Sequence, residues 1–388
     1  MWLVTAVTLT LVLVIITALA FDFTNGFHDT ANAMATPIAT GALRPKVAVA
    51  IAAVLNLVGA FLSTEVARTI SGGLIREGDG GVQITPLMIF AGLIGAIVWN
   101  MVTWLFGLPS SSSHALFGGL IGAVVVGAGF GAIDGGVLLS KVVLPALLAP
   151  VIACSVAFLA TRLAYLIAAR SDSAQGGFRY GQVFTSSLVS LAHGTNDAQK
   201  TMGVITLTLV AAGFQTAGTG PEFWVIVVCA LAIALGTYMG GWRIIRTIGT
   251  RITDIAAPQG FAAEASTAAT ILASSHLGFA LSTTQVASGS VIGAGLGRDV
   301  RSVRWRVAGR IAVAWLITLP AAGAVAALAE LVARLGVIGV AIDAIVGVGV
   351  TVFIFIRSRR TVVAHHNVTA AAESGERPKA ARGKAVMR

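Results

Sequence analysis

A chain of 388 residues that is 56% hydrophobic and 11% charged, with a mean hydropathy of +0.89, lies outside the composition of soluble domains and reads as an integral membrane protein. The formal net charge of +10 comes largely from Arg298, Arg301, Arg304, Arg306 and Arg310 and from the stretch after Arg357, a pattern of cytoplasmic segments facing anionic headgroups rather than of a nucleic-acid surface. Cys154 and Cys229 sit in apolar stretches without CxxC spacing and imply neither a disulfide framework nor a metal cluster.

Long apolar runs, rather than short alternating strands, predict an all-α protein and not a β-barrel. Residues 2–20 form the first run; Ala18-Leu19-Ala20 mimics a cleavage site, but no positive segment precedes it and polar residues follow at once, so it reads as a membrane helix. Further runs follow at 46–64, 86–106, 114–130, 137–168, 201–214, 222–240, 262–280, 285–296, 308–330 and 335–356. Several are shorter than the roughly 20 residues of a full crossing, so the expectation is ten to twelve transmembrane helices, some of them broken or re-entrant half-helices.

The chain also repeats itself. Asn25-Gly26-Phe27-His28-Asp29-Thr30-Ala31-Asn32 is answered by His193-Gly194-Thr195-Asn196-Asp197-Ala198-Gln199-Lys200, and Arg68-Thr69-Ile70 by Arg246-Thr247-Ile248. Ser111-Ser112-Ser113-His114 is answered by Ser282-Thr283-Thr284-Gln285, with Gly118 and Gly122 matching Gly289 and Gly293. Offsets near 170 residues mark duplication of a whole half. The expected organisation is a first repeat over 1–169, a polar joining loop over 170–180, a second repeat over 181–356 and a basic, disordered cytoplasmic tail over 357–388.

Each half carries one Asp in a Gly-containing motif, read as a break in an apolar helix, and about 80 residues later a hydroxyl run opening another helix. A carboxylate at membrane depth costs several kcal/mol unless it meets a partner, a cavity or an ion, so paired carboxylates point to a transport site. Hydroxyls and free N–H groups at a helix start attract a tetrahedral anion such as phosphate or sulfate, which makes Ser111, Ser112, Ser113, Ser282, Thr283 and Thr284 candidate ligands. Two carboxylates beside an anion would repel it, so a cation or proton must accompany it. Asp29 and Asp197, with the amides of Asn32 and Asn196, are the oxygen ligands for Na⁺ or a divalent metal, or the proton carriers, with His28 as a further proton-carrying candidate. Lys200 places a fixed positive charge among them and is a partner for Asp197 or for phosphate. No Gly-x-Ser-x-Gly, His-Glu-x-x-His or Walker motif supports an enzyme, and an anion channel is the weaker alternative because paired clusters suit a closed, coordinating site.

These segments resemble the inorganic phosphate transporter (Pit) family, whose signatures read Gly-x-x-Asp-x-Ala-Asn and His-Gly-x-Asn-Asp; here they stand at Gly26–Asn32 and His193–Asp197. The resemblance implies an inverted-repeat fold with alternating access, a homodimer in the cell inner membrane, no tightly bound cofactor, and phosphate carried with H⁺ or Na⁺. His28 and the Gln199-Lys200 pair depart from the Na⁺-coupled pattern and resemble the bacterial proton-coupled branch. That branch implies H⁺ symport of phosphate as a neutral complex with Mg²⁺ or another divalent metal.

Overall fold

The computed structural model describes residues 2–73, 84–169, 174–216, 218–279 and 281–369. It is all-helical, without a strand among the described residues. The first half runs α1 (Trp2–Ala39), α2 (Pro45–Gly59), α3 (Glu65–Gly73), α4 (Pro86–Phe106), α5 (Ser112–Ala128) and the short α6 (Gly135–Val137), which passes through a π-helical stretch into α7 (Leu144–Ala168). The second half runs α8 (Ala174–Ala211), α9 (Phe223–Met239), α10 (Trp242–Arg246), α11 (Ala257–His276), α12 (Thr283–Arg298), α13 (Trp305–Ala333) and α14 (Val337–Ser358).

Among the described residues, five helical segments are long and apolar enough to cross a membrane, and a sixth arises if α9 and the Trp242–Arg251 segment, bent by 58°, form one span. The expected count of ten to twelve is therefore not reached on length and apolarity alone. Part of the shortfall is physical: α2 and α5 are apolar but have 15 and 17 residues, and α8, at 38 residues, carries the polar residues of the second motif. α7, α13 and α14 turn large side chains such as Leu159, Leu316 and Ile345 outward, as lipid-facing helices do.

Where the chain breaks differs from the sequence expectation. Both Asp motifs lie inside uninterrupted helices, Asn25–Asn32 in α1 and His193–Lys200 in α8. The glycines of the motifs serve packing instead: a Cβ on Gly26 would stand 2.2 Å from Ile233 O of α9, and one on Gly194 2.2 Å from Asn56 O of α2. The chain breaks at the hydroxyl runs. α4 ends on Gly107 at φ +64° and α11 is followed by Gly278 at φ +68°, the left-handed region where only glycine is unstrained. The closing hydrogen bonds repeat at a constant offset: Leu108 N donates to Thr103 O and Ser110 N to Leu108 O, as Phe279 N does to Ser274 O and Leu281 N to Phe279 O.

The two halves interlock rather than lie side by side. α5 packs on α13 of the second half and on α4, while α12 packs on α7 of the first half and on α11. Glycines allow both approaches: Gly118 and Gly122 face the backbone of Leu319 and Gly323, and Gly289 and Gly293 face that of Pro150 and Cys154. Within the expected joining loop, helix α8 already begins at Ala174, and residues 170–173 lie outside the described residues. The expectation of a disordered tail also needs correction over its first part. Arg243 donates to Ser358 O and Thr361 O, both at 2.6 Å, the Trp242 and His365 rings lie 6.2 Å apart, and Val368 is buried. Residues 370–388 lie outside the described residues.

Candidate functional site

On α1, Asn25, Asp29, Asn32 and Thr36 recur at helical spacing along one buried face; on α8, Gln182, Thr185, His193, Asn196 and Lys200 do the same. The two faces meet antiparallel. Asn25 Nδ2 donates to Asp197 Oδ2 at 3.4 Å, His193 Nε2 lies 4.0 Å from Asp29 Oδ2, and Thr40 Oγ1 donates to Gln182 Oε1 at 2.7 Å. Across this seam the residue numbers rise on one helix as they fall on the other.

Asp29 is fully buried and ringed by donors from two other elements and its own. His28 Nδ1 lies 2.6 Å from Oδ1, Thr284 Oγ1 of α12 donates to Oδ1 at 3.0 Å, and Ser112 Oγ of α5 donates to Oδ2 at 2.7 Å. On its far side the His28 ring reaches Ser110 Oγ at 3.3 Å, which is 2.7 Å from Thr103 Oγ1. Asp197, equally buried, receives Lys200 Nζ on Oδ1 at 2.5 Å and Thr283 Oγ1 on Oδ2 at 3.2 Å. Lys200 is itself fully buried, and it also donates to Ser113 Oγ at 2.6 Å and Leu281 O at 3.1 Å. Such a pair persists in a low-dielectric interior only with its remaining protons satisfied, and all three ammonium protons are.

The six hydroxyls expected to line an anion therefore divide by task. Ser111 and Ser282 are helix caps, accepting from His114 N and Gln285 N. Ser112, Thr283 and Thr284 bond the carboxylates, and Ser113 joins Lys200 to Leu281 O at 3.3 Å. Asn32 Nδ2 donates to Thr283 and Thr284 Oγ1 at 3.3 and 3.1 Å, which ties α1 to the start of α12. Asn196 Nδ2 donates to Ser275 Oγ at 3.0 Å. In this conformation the places an anion would take at the starts of α5 and α12 are held by the protein's own carboxylates. A cavity of about 410 Å³ borders the same helix starts, lined among others by His114, Pro150, Gln285 and Trp315 and not by Asp29 or Asp197.

Two groups escape a reading of the sequence for site residues, and a third, Glu264, reads there equally as a helix-end residue or as support for the site. Asn56 of α2 bonds His193 Nδ1 at 3.1 Å; as an isolated amide in an apolar run it carries no local signal. Glu264 of α11 accepts from Thr36 and, at 2.9 Å, from Thr185, bridging α1 and α8 one step beyond the site; its position beside an apolar stretch was its only mark. Asp22 is buried with neither oxygen hydrogen-bonded, seven residues before Asp29 and on the same face of α1.

The phosphate transporter family matches residues 25–326, which includes both Asp motifs and both hydroxyl runs. A protein of Mycobacterium leprae described as a probable low-affinity inorganic phosphate transporter is 57% identical over 92% of this chain and 87% of its own length. One of the same description from Bacillus subtilis is 42% identical over 82% of this chain and 95% of its own. A solved structure described as the sodium-dependent phosphate transporter has the same fold, with a TM-score of 0.75 at 23% identity, over 84% of this chain and 100% of that one. A multi-pass helical chain with both signature segments at one buried seam and these relatives across most of its length is a member of the phosphate transporter family.

Proposed function

We propose that this protein imports inorganic phosphate across the cell inner membrane by symport with H⁺, through alternating access, with the phosphate carried as a neutral complex with a divalent metal. The observation that carries the H⁺ reading is the buried Lys200–Asp197 pair. A fixed ammonium 2.5 Å from a carboxylate fills the place where a second transported cation would sit, and leaves Asp29 as the carboxylate without a fixed countercharge. A proton neutralises such a group without a coordination shell, whereas Na⁺ needs several oxygens.

Alternating access draws support from the antiparallel packing of α1 and α8. These helices carry equivalent motifs in opposite directions, the relation expected of inverted repeats around a central site. The hydroxyls at the starts of α5 and α12 are the phosphate ligands in this reading, released from Asp29 and Asp197 as substrate and proton enter. A neutral metal-phosphate complex lowers the cost of bringing charge to membrane depth. A homodimer is part of the same reading.

Na⁺ coupling is the second reading, and one observation favours it: Oδ1 of Asn25, Asn32 and Asn196 are buried without hydrogen-bond partners, and amide oxygens of this kind suit a hard cation. The test is phosphate uptake into proteoliposomes under an inward H⁺ gradient and, separately, an inward Na⁺ gradient, each with and without Mg²⁺. Uptake driven by H⁺ and raised by Mg²⁺ is expected. Uptake driven only by Na⁺ overturns the role given to Lys200.

A further inference from the structure

α1 and α8 carry three carboxylates between them, and the three are not equally served. Asp197 has the Lys200 ammonium and Asp29 has two hydroxyls and a histidine, whereas Asp22 is fully buried with no hydrogen-bond partner on either oxygen. The register of the seam fixes what stands opposite it. In the contacts Asn25 to Asp197, Asp29 to His193 and Thr40 to Gln182 the two residue numbers add to the same total, so one register holds along the whole seam. Continued one turn toward the start of α1, it sets Asp22 opposite Lys200. That ammonium is committed elsewhere, to Asp197 Oδ1, Ser113 Oγ and Leu281 O. The other groups facing Asp22 are Asp197 and the Thr201 hydroxyl of α8 and the Cys229 thiol of α9, and Thr201 Oγ1 is likewise buried without a partner.

An ionised carboxylate without a donor is strongly disfavoured in a low-dielectric interior, and a proton both removes its charge and gives it an O–H that Thr201 Oγ1 can accept. We propose that Asp22 is a second proton-binding carboxylate of the transporter, protonated before phosphate enters and ionised in the carrier that returns empty. After phosphate has left, the O–H bond of Asp22 breaks, the proton goes to water on the side to which the site is open, and the carboxylate left behind shares Lys200 with Asp197. Lys200 stays in the site in both states and goes on excluding a second transported cation. Asp29 keeps its part, its charge met by the proton that arrives with the substrate. Because the same ammonium holds Ser113 at the start of α5 and Leu281 O just before α12, a change of charge at Asp22 is felt at both helix starts. The inference rests on the H⁺ reading above for the proton's part in transport.

Asp22→Asn imitates the protonated acid in shape and charge but cannot release a proton. In proteoliposomes holding the full chain, this variant is expected to exchange labelled phosphate across the membrane at one pH and, under an inward H⁺ gradient, to take up one proton fewer per phosphate than the unaltered protein. Asp22→Glu keeps a titrating carboxyl and is expected to restore the ratio, which separates proton release from a change of packing. Infrared spectra of the purified protein, taken as the difference between the unaltered chain and Asp22→Asn, are expected to show the carbonyl stretch of a protonated carboxyl. Absence of that band overturns the proposal. Loss of fold in Asp22→Asn, seen by size exclusion, overturns it as well, since a neutral mimic should be tolerated where the native group is neutral. An unchanged proton-to-phosphate ratio in Asp22→Asn, with uptake still driven by H⁺, overturns the proposal and leaves the H⁺ reading standing. Uptake driven by Na⁺ alone, with the infrared band present, supports the proton on Asp22 and overturns the H⁺ reading instead.

Discussion

Asp29 and Asp197 occupy the same position in the two repeats, yet their charge environments differ. Around Asp197 the position corresponding to Asn32 is Lys200, so one carboxylate has a fixed positive partner at 2.5 Å while the other is surrounded by hydroxyls and a histidine. The scaffold around them keeps its symmetry, down to the hydrogen bonds that close the α4–α5 and α11–α12 turns. The two motifs thus share a scaffold and differ in charge at the 32/200 position, where Lys200 makes the Asp197 side electrostatically self-contained. In the proposed transport cycle, Asp29 is the carboxylate whose charge is balanced by the coupled ion.

The sharpest way to break this comparison is Asp29→Asn. It removes the uncompensated charge with little change of shape, and phosphate uptake in proteoliposomes is expected to fall by about 100-fold or more, the scale of a lost interaction of roughly 3 kcal/mol. Normal uptake by well-folded Asp29→Asn would place the variable charge elsewhere. Next in size is the Lys200–Asp197 pair. Asp197→Asn alone leaves a buried ammonium without its carboxylate and should destabilise the protein by about 3–5 kcal/mol, whereas Asp197→Asn with Lys200→Met should regain most of that loss while leaving transport impaired. Thermal unfolding in detergent measures both, and equal stability of the single and double variants would show the pair to be structurally idle.

Two smaller effects test whether the scaffold is as symmetric as the site is not. A Cβ at Gly122 would stand 2.1 Å from Gly323 O and one at Gly293 2.1 Å from Cys154 O, so Gly122→Ala and Gly293→Ala should each cost about 1–3 kcal/mol by overpacking and by similar amounts. A large difference between them would mean that the two interlocked contacts are not equivalent. Smallest are the caps: Ser111→Ala and Ser282→Ala each remove one acceptor from a helix start, worth about 1 kcal/mol, with phosphate affinity changed little because neither hydroxyl faces the carboxylates. Loss of phosphate affinity in Ser111→Ala at unchanged stability would return that hydroxyl to the substrate.

Much of this arrangement is legible in the sequence because duplication prints it twice. The pairing of Asp29 with Asp197 and of the two hydroxyl runs needs no coordinates, and the Asp197–Lys200 pair follows from i, i+3 spacing on a helix. The helix breaks are less legible. Gly26 and Gly194 read as interruptions because glycine in an apolar run serves equally for a turn and for a close helix contact, and only the position of Ile233 O and Asn56 O decides between them. Asn56 and Thr237 are harder still, since their bearing on His193 depends on α2 and α9 crossing at one point. The tail reads as disordered from its composition, but Arg243, far back in the chain, supplies the donors that hold its first turns.

The continuity of α1 and α8 through the two motifs divides labour inside the site. The carboxylates and the ammonium ride on uninterrupted rods, while five of the surrounding hydroxyls, those of Ser110, Ser112, Ser113, Thr283 and Thr284, stand at the broken ends of other helices. A rod carries its charges to a set place with little freedom to relax, whereas a helix start beside a glycine turn is hinged by construction. Any cycle that swings the hinged pieces and leaves the rods whole keeps the electric field where it is and changes only which donors screen it. Selectivity and timing then belong to separate parts of the same few ångströms.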